Sequence, residues 1–236
     1  MTLFLSHRGE SDDAPENTLS AFALAMERNS DGLELDIRLT ADGYVVVVHD
    51  ADLKRVAGND AVVSASTLEK LQSIHPVPLF EDVLKLLKEG CHLQIELKGS
   101  DLKIVPALKR ILDAWSGDRK QLAISSFEEE TIQKAGEFFP DLPRVLLTDL
   151  TKKFGSFPTA AETASYMRSL NCTGVSFKAD FAADKAFVDA LKAENMRVVC
   201  WGVFSDELGL AMARAGVDAL TNNHAVALRE KFRTAR

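Results

Sequence analysis

Cysteine is scarce in this 236-residue chain: Cys91, Cys172 and Cys200 are the three present, and no CxxC pair occurs among them. That spacing argues against a zinc site and a disulfide framework, and predicts buried, reduced thiols. Positive charge is in deficit. Lys and Arg number 28 against 35 Asp and Glu, a net charge of −7, so a nucleic-acid backbone is a poor partner. Long apolar runs are missing as well. Nothing approaches the roughly 20 residues needed to span a bilayer, so no stable membrane insertion is expected. The opening residues, Met1 to Ser6, carry no basic segment and no small-residue cleavage site; a cytoplasmic location is the expectation. There is no internal repeat, no low-complexity tract, and no glycine-rich dinucleotide loop after the first apolar run.

Present instead is a regular alternation of apolar runs and helical patterns within an ordinary globular composition, 46% apolar and 27% charged. The runs predict strands at 2–6, 33–39, 93–97, 122–125, 145–147, 174–177, 198–203 and 219–221. Helices are predicted at 18–29, 81–88, 104–114, 128–139, 159–170, 184–194, 206–215 and 225–232. Asn17 and Asp206 read as N-caps. Eight strand–helix units in a chain of this length predict a (β/α)8 TIM barrel rather than a doubly wound open sheet. An extra extended run, 44–48, reads as a hairpin partner across the turn Ala41-Asp42-Gly43. Residues 51–78, with a weak helix at 67–72, read as a short insertion over the barrel mouth after the second strand. The whole chain, 1–236, reads as one domain.

The chemistry gathers at the ends of the apolar runs. In Leu-Glu-Leu-Asp-Ile-Arg-Leu, period-two alternation puts Glu34, Asp36 and Arg38 on one strand face. A half-polar exposed strand has the same pattern. Inside a barrel, two like carboxylates repel and are costly to desolvate, and a cation between them removes both costs. Oxygen ligands suit Mg²⁺ or Ca²⁺. Gln94, Glu96 and Lys98 repeat the alternation, so Glu96 supplies a third carboxylate and Lys98 a phosphate contact. His7 and His49, each closing an apolar run, are the acid–base candidates. Arg8 fits a bidentate phosphate clamp. Trp201 and Phe127 can stack on a substrate or fill core, and Lys178 is a weaker phosphate candidate. His75, His92 and His224 read as structural or exposed. Glu128-Glu129-Glu130 reads as a solvated helix start.

With these residues assembled, the chain resembles the glycerophosphodiester phosphodiesterase family. The matching pieces are His7-Arg8-Gly9, Pro15-Glu16-Asn17-Thr18, Glu34-Leu35-Asp36, Gly43 through His49-Asp50, Arg55, Pro78-Leu79 with Glu81 and Val83-Leu84, Glu96-Leu97-Lys98, Ser126-Phe127 and Trp201. They run in family order over almost the whole chain. The resemblance implies hydrolysis of glycerophosphodiesters, small-molecule substrates, to sn-glycerol 3-phosphate and an alcohol. It implies one divalent cation on Glu34, Asp36 and Glu96, with His7 and His49 as acid and base and Arg8 and Lys98 on the phosphate. Two departures stand out: a short stretch at 51–78 that is poor in glycine and threonine, and the ending Asp218 to His224. Glu10 is also unusual and is read as an extra oxygen near the metal. Left open are the leaving alcohol, Mg²⁺ against Ca²⁺, which histidine is the acid, water attack against a cyclic phosphate, and self-association as a homo-oligomer. The alternatives are a lysophospholipase D-type or other phosphodiesterase on the same site, or a non-catalytic metabolite-binding barrel.

Overall fold

The computed structural model describes residues 1–234; residues 235 and 236, the end of the expected domain, lie outside the described residues. The strands in chain order are β1 (Leu3–His7), β2 (Gly32–Leu39), β3 (Val45–Val47), β4 (Asp52–Leu53), β5 (Asn59–Val62), β6 (His92–Leu97), β7 (Leu122–Ser126), β8 (Arg144–Thr148), β9 (Gly174–Lys178), β10 (Arg197–Trp201) and β11 (Ala219–Asn222). Eight of them are parallel and close on themselves. The sheet runs β1-β11-β10-β9-β8-β7-β6-β2, and β1 pairs with β2 to shut the ring. The (β/α)8 barrel expected from the alternation is therefore the fold. Helices between the strands cover its outer surface.

Alternation sorts the side chains. Leu33, Leu35 and Ile37 of β2 point out into the large core beneath the helices. The inward residues Leu5, Val145, Val199 and Ala219 form a separate apolar plug inside the barrel. Above that plug, at the carboxyl ends of the strands, the inward positions turn polar. A barrel filled by side chains below and opened by loops above leaves its chemistry at the upper rim.

Strand β3 pairs antiparallel with the upper end of β2, Leu39 opposite Val45, as the turn at Ala41 to Gly43 predicts. The excursion that follows is more structured than a loop. It holds the two-stranded β4–β5 sheet, a one-turn helix Lys54–Ala57 and a helix Leu68–Ile74. Val46, Val48, Leu53, Val63, Leu71 and Val77 give it a small core of its own.

Several local expectations need correcting. Thr18, not Asn17, caps the helix Leu19–Glu27, its side chain accepting from the Ala21 N–H. Ser205, not Asp206, caps the helix Asp206–Ala215. The helix expected at 81–88 is the shorter Phe80–Leu84. The strand expected to reach residue 203 ends at Trp201. A helix at Leu150–Phe154 was not foreseen. All three cysteines are buried and unpaired.

Candidate functional site

Strand register assembles the acidic centre. In the β1–β2 pairing His7 lies beside Glu34, and in the β2–β6 pairing Asp36 lies beside Glu96. Since all four side chains point inward, two neighbouring strands, β2 and β6, deliver Glu34, Asp36 and Glu96 to one spot, with His7 of β1 beside them. One oxygen from each lies within 4.8 Å of the others. All three residues are buried, Asp36 to 1% exposure.

Two cations partly balance them. The Lys98 ammonium donates to Glu96 Oε1 at 2.6 Å and lies 3.4 Å from Asp36 Oδ1. Arg8 Nε lies 3.1 Å from Asp36 Oδ2, and Asn17 Nδ2 donates to the same oxygen at 2.8 Å. Three carboxylates against two fixed cations leave one negative charge in excess. Burial, with Asp36 and Glu96 close by, pushes the Glu34 carboxyl well above its ordinary value. Burial and Asp36 push Glu96 up to about 7 despite the adjacent Lys98. Burial also works against ionised Asp36, but Lys98, Arg8 and His49 outweigh it and hold Asp36 below the usual range. Among the described residues Glu34 Oε2 and Asp36 Oδ1 are buried acceptors without a hydrogen bond, the Lys98 ammonium lying near Asp36 Oδ1 only as an ion pair. Orphaned buried oxygens are costly, and an all-oxygen donor set with two vacant lone-pair sites fits a hard divalent cation.

The two histidines stand at the rim of this cluster, each with a partner on Nδ1. His7 Nδ1 lies 2.7 Å from Asn223 Oδ1, so Nδ1 carries the proton; Nε2 lies 3.8 Å from Glu34 Oε2. The Asn223 amide is itself oriented, its Nδ2 donating to Asp12 at 3.1 Å. His49 Nδ1 lies 2.6 Å from Asp50 Oδ1, which makes Nδ1 the donor there too. Both imidazoles are held below their ordinary value, His7 by burial and Arg8, His49 by burial and Lys98.

His7, Arg8, Glu34, His49, Glu96 and Lys98 all line a cavity of about 550 Å³ at the barrel mouth. Phe127 and Trp201 also line it, as an edge-to-face pair with ring centroids 5.1 Å apart, and Lys98 Nζ sits 5.6 Å from the Phe127 centroid. Lys178 is not brought in: it pairs with Asp149 at 3.2 Å, outside this cavity. Glu10 is not an extra oxygen near the three carboxylates. Ser6 Oγ and Arg28 donate to it, in a separate grouping with Asp13 and His224. His224 reaches Asp13 at 2.9 Å.

Sequence reasoning missed the residues that orient the site. In the sequence Asn17 reads as a cap, Asn223 as part of a divergent ending, and Asp50 only as a neighbour of His49. Asn17 adopts a left-handed φ of 55°, and a helix-capping signal gives no hint that its side chain turns inward.

A parallel eight-stranded barrel with a buried carboxylate cluster and two histidines at its mouth is the setting in which comparison with known proteins places an enzyme of the phosphoric diester hydrolase class. The profile of the Glycerophosphoryl diester phosphodiesterase family matches residues 7–227, and the chain belongs to that family. A glycerophosphodiester phosphodiesterase of Caldanaerobacter subterraneus is 27% identical over 240 residues, covering 93% of both chains. Among solved structures, the glycerophosphodiester phosphodiesterase of Thermotoga maritima matches with a TM-score of 0.82 at 23% identity, over 98% of each chain. A phosphodiesterase of Oleispira antarctica, solved with the product sn-glycerol-3-phosphate, matches with a TM-score of 0.80 at 23% identity, over 97% of this chain and 96% of that one.

Proposed function

We propose that this chain, acting as one domain, hydrolyses glycerophosphodiesters to sn-glycerol 3-phosphate and an alcohol, with one divalent cation, Mg²⁺ or Ca²⁺, and with His7 and His49 as the acid–base pair. The observation that carries this reading is the pair of orphaned oxygens, Glu34 Oε2 and Asp36 Oδ1, in an all-carboxylate cluster beside two histidines whose Nδ1 atoms are already engaged. Glu34, Asp36 and Glu96 would hold the cation. Bound there, it supplies Lewis-acid polarisation of a phosphoryl oxygen and offsets charge in the transition state.

The chain's own groups do the rest. Arg8 and Lys98 bring guanidinium and ammonium donors to the phosphate, a fork and a point charge respectively. Each histidine keeps Nε2 free, so one accepts a proton from the attacking hydroxyl while the other, entering the cycle protonated, gives one to the leaving alkoxide. Phe127 and Trp201 offer an aromatic wall to the alcohol portion. The Oleispira phosphodiesterase, alike in fold, was solved with the product this reading expects.

The test is release of glycerol 3-phosphate from glycerophosphocholine and glycerophosphoethanolamine, with chelator and after restoring Mg²⁺ or Ca²⁺ in turn. Release that needs an added cation supports the reading. Folded protein that releases nothing with either ion overturns it. A second reading, a lysophospholipase D-type activity, draws on one observation: Phe204 stands 85% exposed at the cavity rim, where an acyl chain could lie. Lysophosphatidylcholine in the same assay decides between them.

A further inference from the structure

The excursion over the mouth contributes a side chain that reaches two elements of the site at once. Arg55 lies on the one-turn helix Lys54–Ala57. Its Nε donates to Asp50 Oδ2 at 2.6 Å, while Nη1 and Nη2 donate to Glu16 Oε2 and Oε1 at 2.8 and 2.7 Å. Each carboxylate spends its other contacts on a residue of the cavity. Asp50 Oδ1 accepts from His49 Nδ1 at 2.6 Å, and Glu16 Oε1 accepts from Arg8 Nη1 at 2.9 Å. One planar guanidinium therefore stands behind both the histidine that follows β3 and the arginine that follows β1.

We propose that Arg55 is a positioning residue for the hydrolysis, bracing His49 through Asp50 and Arg8 through Glu16; the inference rests on the functional reading above. The excursion makes the brace rigid. Leu53, two residues before it, is fully buried in the excursion's own core, and Val56 packs against that core. Gly58 closes the helix in a left-handed conformation, φ 64°, with its N–H bonded to the Lys54 carbonyl. Without Arg55 the two carboxylates lose their shared anchor. Both are partly open to solvent, 24–25% exposed at the side chain, so water would then compete for them. Asp50 is free to turn from His49, whose ring then samples both tautomers. Arg8 is the more exposed to such loosening because it already holds a left-handed φ of 57°, an uncommon conformation for a side-chain-bearing residue. Only a planar fork serves both carboxylates in this way; an ammonium at the same place is a single point charge.

The variants are Arg55→Gln, Arg55→Lys, Asp50→Asn and the double variant Arg55→Gln/Asp50→Asn. Lys54→Gln is the control, since among the described residues its ammonium pairs with exposed Asp60 alone. In cation-loaded protein, R55Q is expected to lower kcat about 10- to 100-fold, the range seen when orienting partners are removed, with KM moving far less. R55K, which restores charge without the fork, stays slow. R55Q costs less in the D50N background than in the wild type, because part of its effect runs through Asp50. An unchanged kcat in R55Q, full rescue by R55K, or losses that simply multiply would each overturn the brace. A second readout needs no turnover. In ¹⁵N-labelled protein the His49 ring is expected to be protonated at Nδ1 in the wild type and in K54Q, and to mix tautomers in R55Q. A single Nδ1–H tautomer in R55Q overturns the proposal even if the rate falls. If the wild type releases no product while R55Q still mixes tautomers, the hydrolase reading has failed and the brace stands.

Discussion

At the scale of single residues, the two histidines share a plan and differ in one respect. Each has Nδ1 committed to an oxygen, which leaves Nε2 as the free nitrogen, but the partner of His7 is a neutral amide and that of His49 a carboxylate. A carboxylate stabilises an imidazolium more than an amide does. Burial with nearby cations acts in the opposite sense on both rings. On the acid–base reading, His7→Ala and His49→Ala each lower kcat by roughly 10²- to 10⁴-fold, the contribution usual for a positioned proton donor or acceptor. Neither side chain belongs to the apolar core, so the melting temperature should move by only a few degrees. Steady-state kinetics with a thermal melt checks both, and wild-type turnover in both variants sinks the assignment. His7 and the three carboxylates were legible because strand alternation fixes which way they point, whereas His49, in the loop after β3, was legible only as the histidine closing an apolar run. Asn17, Asn223 and Asp50 were not, because they lie in loops where no periodicity fixes a side chain's direction. Asn17 shows the conflict best: local propensity favours a cap, but the inward amide bond to Asp36 takes it.

At the scale of elements, the first strand–helix connection carries much of the site and leaves little room for change. Gly9 follows His7 and Arg8 with a φ of +86°, and a Cβ there would lie 2.6 Å from the Ala21 carbonyl carbon and its Cβ. Gly9→Ala combines a left-handed penalty with a backbone clash, a cost of about 2–4 kcal/mol. It is also expected to displace Arg8 and depress activity; chemical denaturation that leaves the midpoint unchanged would refute this account. The last helix holds the barrel's closing seam in a comparable way. Arg229, buried, donates to the Asn29 carbonyl at 2.6 Å and to Asp31 Oδ1 at 2.8 Å, while Asp31 Oδ2 accepts from the Phe4 N–H. Removing one partner of such a pair leaves the other uncompensated, so Arg229→Ala should cost about 3 kcal/mol. For a chain of this size that is about 6–12 °C in melting temperature. Divalent-cation affinity, set further along the same strands, should not change; a loss of affinity would mean Arg229 and the cluster are coupled. The long elements were readable from sequence because eight strands and their helices each repeat a period several times. The helices Lys54–Ala57 and Leu150–Phe154, of four and five residues, are too short to show one.

At the scale of the whole molecule, the chain is acidic and concentrates three buried carboxylates at one spot, so fold and function are linked through protons and a cation. Glu96 is pushed up to about 7 in the folded chain from an ordinary 4.5, and Glu34 is pushed up as well. A carboxyl raised in this way favours the folded state fully below its unfolded value, and that advantage is lost as pH rises through the folded one. His7 and His49, held below their ordinary 6.5, act oppositely: the unfolded chain takes their protons more readily, so stability rises with pH until both states are neutral. Above about pH 7 that rise is largely spent, and the carboxyls dominate. Chelated protein should therefore melt at progressively lower temperature from about pH 7 to 8.5. A divalent cation on Glu34, Asp36 and Glu96 favours their ionised forms and competes with those protons, so its apparent affinity should climb over the same interval, by up to about tenfold per pH unit for each proton displaced. The gap between chelated and cation-loaded melting curves then widens as the buffer becomes more alkaline. Differential scanning calorimetry across that range, with Mg²⁺ and Ca²⁺ in separate series, measures it directly. Superposed curves at every pH with both ions would remove the cluster as a cation site, whereas a widening gap that Glu34→Gln abolishes ties it to the carboxylates themselves.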